Sequence, residues 1–186
     1  MTNTMNRRNF MVAGLAGLGL AGCSNGIGGD GAAVIDARVD SSLQFLFSTY
    51  PGTQDLASRA AGMLVMPVVT KVGLGFGGSF GKGVLRIGQS TVDYYSATAA
   101  SAGFQIGAQQ YSHVLFFMTQ EALMEFRQSP GWVAGANLEY AANDQGEVLR
   151  ADTTTALSPV IAVVFAQSGL RVGATIEGTK YTRIIP

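Results

Sequence analysis

The sequence predicts an α+β fold: a curved antiparallel β-sheet or partial barrel, with helices at the N-terminal side and one internal helix. Three observations predict it. Apolar residues recur at helical spacing between residues 32 and 50, and a second helical pattern follows residue 119. Between these two stretches, short runs of β-branched and aromatic residues dominate. The 25 glycines indicate tight turns or close backbone contacts, as expected for a β-rich fold.

The first helix is predicted from residue 32 to residue 50, where Pro51-Gly52 ends it. Its apolar positions recur every three or four residues: Ile35, Val39, Leu43, Leu46, Phe47 and Tyr50. Asp36 and Asp40 fall on the other side. This amphipathic face predicts packing on the core of the domain. Membrane contact is the alternative, although the helix lacks the Lys/Arg density usual for a membrane-surface helix.

A second, short helix is predicted from Thr53 to about Ala61. Thr53 is the residue type that caps a helix N-terminus, and Asp55 lies where a carboxylate stabilises the positive end of the helix dipole.

Five short strands then follow, at residues 63–69, 84–87, 91–99, 104–109 and 113–117, with a bulge or sheet edge at Pro67. The glycine-rich stretch 73–83 is predicted to connect two of them through positive φ angles or close backbone approach. Thr119 is predicted to cap the internal helix, which ends near Gln128 before Pro130-Gly131. Further strands are expected at 133–140, up to residue 148, at 159–165 and at 170–176. Short connections favour antiparallel pairing.

The N-terminus has the pattern of an export signal. Arg7 and Arg8 precede an uncharged apolar run, residues 10–21, that is shorter than the ~20 residues a bilayer span needs. Leu20-Ala21-Gly22-Cys23 resembles the lipobox of bacterial lipoproteins. We therefore expect residues 1–22 to be removed, Cys23 to be acylated, and residues 23–31 to form a flexible tether. An ordinary secretory signal is the alternative interpretation.

The Arg7-Arg8 pair followed by Phe10 also resembles a twin-arginine export signal, although any basic segment would serve general secretion. Ser24 after the cysteine resembles the sorting signals of outer-membrane lipoproteins. The expected location is thus the bacterial cell envelope, at the outer membrane and facing the periplasm. Cys23 is the only cysteine, so no intramolecular disulfide is expected.

Composition restricts the domain, residues 32–186, to a few function classes. Apolar residues make up 47% of the chain and charged residues 13%, which suits one well-packed domain. In the mature chain expected from Cys23 onward, which lacks Arg7 and Arg8, ten of the 12 basic residues remain against 12 acidic ones. This balance argues against nucleic-acid binding, which needs clustered Lys and Arg.

No set of residues with catalytic or metal-binding spacing stands out. The glycine-rich stretch departs from both the Walker A and the Rossmann patterns, because Gly83 follows Gly81-Lys82 and a strand pattern follows the loop. The single histidine, His113, begins an apolar strand and has no evident partner for a catalytic triad. The sequence therefore predicts no enzyme, no cofactor and no metal site. Lys71, Lys82 and Arg86 are candidate contacts for a lipid headgroup.

Several motifs together resemble the SYLF-domain family. They are Leu64-Val65-Met66-Pro67, residues 71–78, Gly81-Lys82-Gly83-Val84-Leu85, residues 103–109, Ser168-Gly169-Leu170, and Gly173 with Glu177-Gly178. The similarity extends over residues 43–179. Members of this family include bacterial lipoproteins and eukaryotic proteins of endocytosis and cortical actin.

The resemblance implies binding rather than catalysis. Eukaryotic members bind phosphoinositides and some bind actin filaments, and bacterial members have been linked to lipid binding. The leading hypothesis is a non-catalytic, membrane-anchored domain that binds lipid, with phospholipid as one candidate, or an apolar ligand in or beside the sheet. A protein-binding or scaffolding module, tethered only by its lipid anchor and with an unknown partner, is the alternative. An enzyme that uses His113 or Glu177 is the third hypothesis.

Overall fold

The computed structural model describes residues 31–135, 139–140, 158–166, 169–170 and 176–186. Its three described helices are α1 (Gly31–Thr49), α2 (Gly52–Arg59) and α3 (Gln120–Gln128). The predicted signal and Cys23 lie outside the described residues, as do the predicted turn and return strand at 143–148 and residues 171–175 of the last predicted strand.

The described strands are β1 (Gly62–Ile87), β2 (Ser90–Phe117), β3 (Trp132–Val133), β4 (Glu139–Tyr140), β5 (Val160–Ala166), β6 (Gly169–Leu170) and β7 (Lys180–Ile184). They form one curled half-barrel sheet. β2 is its centre, because its first half pairs with β7, its second half with β5, and nearly its whole length with β1. This architecture confirms the predicted α+β class with a curved sheet.

All three predicted helices are present within two residues of their expected bounds. The hydroxyl of Thr119 accepts a hydrogen bond from the Ala122 amide at 3.2 Å, which confirms it as the N-cap of α3. The cap predicted at Thr53 is wrong. Pro51 occupies the cap position of α2, and Thr53 is buried in the first turn, where its hydroxyl donates to the Tyr50 carbonyl at 2.7 Å.

The strand predictions need correction in number. The five short strands predicted between residues 63 and 117 are two long strands, β1 and β2, which form one antiparallel hairpin with a tight turn at Gly88. The bulge predicted at Pro67 is confirmed by the register shift between Met66 and Val69. β7 was not predicted, and β4 pairs parallel with β5, against the antiparallel expectation.

Glycines let the two ends of β1 approach each other. A Cβ at Gly81 would lie 2.8 Å from the Val68 carbonyl oxygen, and a Cβ at Gly83 would overlap the carbonyl oxygen of Val65. The predicted close approach is therefore confirmed. The predicted positive φ is wrong for this stretch, since Gly88 and Gly178 are the residues with positive φ in the described part of the chain.

Two hydrophobic clusters cover opposite faces of the sheet, because successive residues of β1 and β2 alternate between them. Leu64, Leu85 and Phe117 belong to the cluster that packs on α3. Val65, Val84 and Phe116 belong to the cluster that packs on α1 and α2. The apolar face of α1 is buried there through Ile35, Val39, Leu43 and Leu46, as predicted for core packing.

Candidate functional site

The three basic residues predicted to contact a headgroup all lie on β1, but they do not share one surface. Lys82 lies two residues before Val84, on the face that α1 covers, because the β1 register is unbroken from Gly75 to Leu85. Arg86 lies under α1 as well, where it contacts Asp40 of that helix. Lys71 lies two residues after Val69, whose side chain belongs to the cluster on the opposite face. Lys71 therefore faces away from the other two.

Arg86 is buried beneath α1 and is part of an ion pair. Its side chain is 10% exposed, and its Nη2 donates to Oδ1 of Asp40 at 2.6 Å. The Asp40 side chain is 64% exposed, so the pair runs from the interior to the surface. The buried Nε–H of Arg86 has no hydrogen-bond partner among the described residues. Arg86 thus links α1 to the sheet, and its Nε–H group is available to donate a further hydrogen bond.

Asp36 makes a second polar link between α1 and the sheet. Its Oδ1 accepts from the Thr91 hydroxyl at 2.9 Å and its Oδ2 from the Tyr94 hydroxyl at 2.7 Å. Burial and the Asp36 hydrogen bond raise the pKa of Tyr94 to about 12. The acids on the polar side of α1 therefore contact β1 and β2. Their position explains why this helix has acids where a membrane-surface helix would have lysines.

Between the two packed ends of β1, the hairpin exposes a row of apolar side chains. Val72, Phe76 and Phe80 are 52%, 85% and 52% exposed, and we call these three residues the bend strip. Phe76, Phe80 and Lys82 occupy even-numbered positions of β1, so their side chains lie on the same face of the strand. Further along β1, α1 covers this face. The intervening odd positions are Gly77, Ser79 and Gly81. One face of this segment is thus aromatic and the other is nearly without side chains.

A cavity of about 580 Å³ lies between α1, α2 and the sheet. Its apolar walls come from Leu43, Phe47, Ala57, Ala60 and Met63, and its polar lining from Gln54, Ser58, Arg86 and Gln89. The volume falls within the range of ligand pockets in proteins, ~300–1,000 Å³. Of the three predicted basic residues, Arg86 lines this cavity.

His113 is a structural residue. It is fully buried, and its Nε2 shares a hydrogen bond of 2.8 Å with the Tyr181 hydroxyl, while the ring stacks on Tyr111. Burial lowers the pKa of His113 to about 3, so the imidazole is neutral at physiological pH. Its ring contacts are aromatic, and among the described residues its buried Nδ1 has no hydrogen-bond partner, whereas a catalytic base is oriented by a carboxylate at that position.

Trp132 packs on the sheet. Its ring contacts Phe117, Phe126 and Tyr181. Glu177, the other residue of the enzyme hypothesis, lies exposed in the turn before β7.

The described residues contain no group of three or more His, Cys, Asp or Glu side chains arranged to hold a metal ion. Among the same residues, no helix has the length and apolar character that crossing a bilayer requires. The bend strip and the cavity are candidate sites that the described residues form.

The sequence contains a signal for the bend strip. At the even positions from Val72 to Lys82, every residue is bulky except one glycine. At the odd positions from Gly73 to Gly83, every residue is glycine except Ser79. This period of two indicates a strand with one crowded face. No comparable signal exists for the cavity, because its walls come from α1, α2, β1 and the turn after it.

A half-barrel with a helix-covered cavity and an exposed apolar strip defines a binding module. Residues 98–183 match the profile of the family described as Ysc84, the Las17-binding protein actin regulator. The match runs from β2 to β7 and confirms the similarity to the SYLF-domain family that the motifs indicated. No curated protein sequence matches the chain.

Proposed function

We propose that the protein is a non-catalytic lipoprotein of the bacterial cell envelope whose domain contacts phospholipid. In this proposal an export signal that includes Arg7 and Arg8 directs the chain outward, and acylated Cys23 anchors it in the outer membrane on the periplasmic side. The domain, residues 32–186, then lies within reach of the bilayer through a short tether. The binding character of the SYLF-domain family supports the proposal.

The bend strip is the observation that carries the proposal. Phe76, at 85% exposure, has nearly its whole ring in solvent, and Phe80 lies four residues further along the same face. Burying an exposed Phe in an apolar medium contributes about 1.5–3 kcal/mol. Contiguous exposed apolar groups on a soluble surface mark interaction sites.

The charged residues beside the bend strip favour a bilayer as its binding partner. Lys82 follows Phe80 on the same face, and Lys71 lies beside Val72 on the opposite face. The hairpin segment 70–82 contains these two lysines and no acidic residue. A lysine near an anionic membrane surface contributes about 1 kcal/mol. In this arrangement the aromatic rings enter the acyl region while Lys82, on the same face, meets phosphates, and Arg86 remains engaged with α1.

Vesicle flotation tests the proposal. The chain starting at Ser24 lacks the anchor, yet it retains both core clusters, which lie between Ile35 and Tyr181. We expect it to float with phosphatidylglycerol vesicles. The double variant Phe76→Ser/Phe80→Ser should weaken binding at least about tenfold. Met124→Ser removes an apolar group of 48% exposure on α3 and should bind as the parent chain does.

Lys82→Gln should reduce the preference for phosphatidylglycerol over phosphatidylcholine, at a cost of about 1 kcal/mol. If the parent chain floats with neither vesicle, or if the double variant floats as well as Met124→Ser, lipid contact by the bend strip is wrong.

A protein-binding module tethered only by its anchor is the second candidate function. The family description, which names a Las17-binding protein, favours it. A photo-reactive side chain in place of Phe76 distinguishes the two in cells. Cross-links to one stoichiometric protein would support the scaffold, whereas cross-links to phospholipid support membrane contact.

A further inference from the structure

The cavity beneath α1 and α2 has the composition of a site for a single amphiphilic molecule. α1 contributes Leu43 and Phe47 to its walls, and α2 contributes Ala57. Ala60, after α2, and Met63, at the start of β1, continue this apolar surface. Gln54, Ser58 and Gln89 add uncharged polar groups. A ligand that fills this space must therefore be apolar over part of its length and polar elsewhere.

Arg86 determines which charge the polar part of the ligand must carry. It is the one charged residue in the cavity lining, and its ion-pair partner Asp40 lies outside that lining. Its buried Nε–H lacks a partner in the described part of the chain, and a buried donor without a partner is costly. An anionic oxygen is the group that best satisfies a guanidinium. The ion pair with Asp40 leaves this capacity available, because the Asp40 carboxylate contacts Nη2.

We infer that this cavity binds a single-chain amphiphile with an anionic headgroup, its carboxylate or phosphate next to Arg86 and its chain against Leu43, Phe47 and Met63. This site is separate from the bend strip: the strip would contact a bilayer, whereas the cavity would hold one molecule. The inference therefore does not depend on the proposed function.

Displacement of a fluorescent fatty acid tests the inference with defined probes. The chain starting at Ser24 is titrated with dansyl-undecanoic acid, which is then displaced by laurate, by lauroyl lysophosphatidylglycerol or by uncharged monolaurin. Laurate and the lysophospholipid should both displace the probe at least about tenfold more tightly than monolaurin. Their ratio distinguishes a carboxylate ligand from a phosphate ligand.

Two variants separate ligand contact from the fastening of α1. Arg86→Gln removes the cation and should weaken laurate binding about tenfold or more, while monolaurin binding stays unchanged. Asp40→Asn breaks the same ion pair from the exposed side and keeps the cation, so laurate should bind at least as tightly as before. Equal losses in both variants would show that the ion pair acts only on the fold and would overturn the inference.

Ala57→Phe fills the cavity from α2 without altering Arg86 and should abolish displacement by every amphiphile. Phe76→Ser/Phe80→Ser should leave displacement unchanged, which separates the cavity from the bend strip. Parent-like binding in Ala57→Phe, or equal affinities for laurate and monolaurin in the parent chain, would overturn the inference. Circular dichroism establishes that each variant is folded before its binding is compared.

Discussion

His113 and Tyr181 form a hydrogen-bonded pair in the core, joining the second half of β2 to β7. The imidazole is fully buried and neutral, since burial lowers its pKa from 6.5 to about 3. The unfolded chain takes up a proton near pH 6.5, whereas the folded chain does not. Stability contributed by neutral His113 is thus fully present above pH 6.5 and is lost as the pH falls toward 3.

We therefore predict that the free energy of unfolding falls by up to about 2 kcal/mol between pH 6.5 and about pH 5 because of this one residue. Urea unfolding at several pH values measures it. His113→Gln keeps a hydrogen-bonding group beside Tyr181 and cannot titrate, so its stability should change much less over this range. An identical pH dependence in the parent and His113→Gln would contradict the assignment.

Two threonines show how far residue-level reasoning from the sequence reaches. Thr119 is predicted to cap α3 and does so, because its side-chain oxygen accepts a first-turn amide that has no carbonyl partner within the helix. The same reasoning failed at Thr53, because Pro51 already starts α2 and the Thr53 hydroxyl donates back to Tyr50. Whether a threonine caps a helix depends on the direction in which the backbone enters the helix, and the local sequence does not specify that direction.

Among the elements, β1 owes its shape to glycines on one of its faces. Glycines usually indicate breaks between strands, and this rule led to the prediction of two short strands where β1 is continuous. Gly81 and Gly83 instead lie within the strand, where the first half of β1 comes too close for any side chain. The partner that requires them is a distant part of the same strand, so the local pattern could not identify it.

Gly83→Ala should destabilise the domain by at least about 1–3 kcal/mol, because its Cβ would overlap the Val65 carbonyl oxygen and lie 2.6 Å from Sδ of Met66. Gly52→Ala, at the first position of α2, meets nothing within 4 Å and should change stability by no more than about 1 kcal/mol. Urea midpoints of the two variants measure this contrast. Equal midpoints would mean that β1 does not fold back on itself as described.

The residues of the bend strip and of the cavity could be predicted from the sequence to different degrees. Lys71 and Lys82 could be selected from the sequence as basic residues of a glycine-rich segment, and they flank the bend strip. Arg86 was grouped with them, yet it lies under α1 and lines the cavity. Strand alternation relates residues of one strand, whereas the position of α1 over that strand depends on tertiary packing.

At the scale of the whole molecule, the sheet joins its two hydrophobic clusters into one folding unit. Neighbouring residues of one strand, such as Leu115 and Phe116, belong to different clusters. A strand cannot release one face without disturbing the other. The α1–α2 side and the α3 side should therefore unfold together, as expected for a small cooperative domain.

Leu46→Ala tests this coupling across the sheet. Leu46 is fully buried in the cluster on the α1 side, so the substitution should cost about 2–5 kcal/mol. Trp132, the only tryptophan, packs on the cluster of the opposite face and reports on unfolding there. We expect the urea midpoints from Trp132 fluorescence and from far-UV circular dichroism to fall by the same amount.

Val34→Ala removes a side chain of 47% exposure from the same helix and is the matched control. It should change the free energy of unfolding by about 0.5 kcal/mol or less and therefore move both midpoints little. A fluorescence midpoint that stays at the parent value while the dichroism midpoint falls would show that the two faces unfold separately, because α1 could then detach while the α3 side of the half-barrel remained folded.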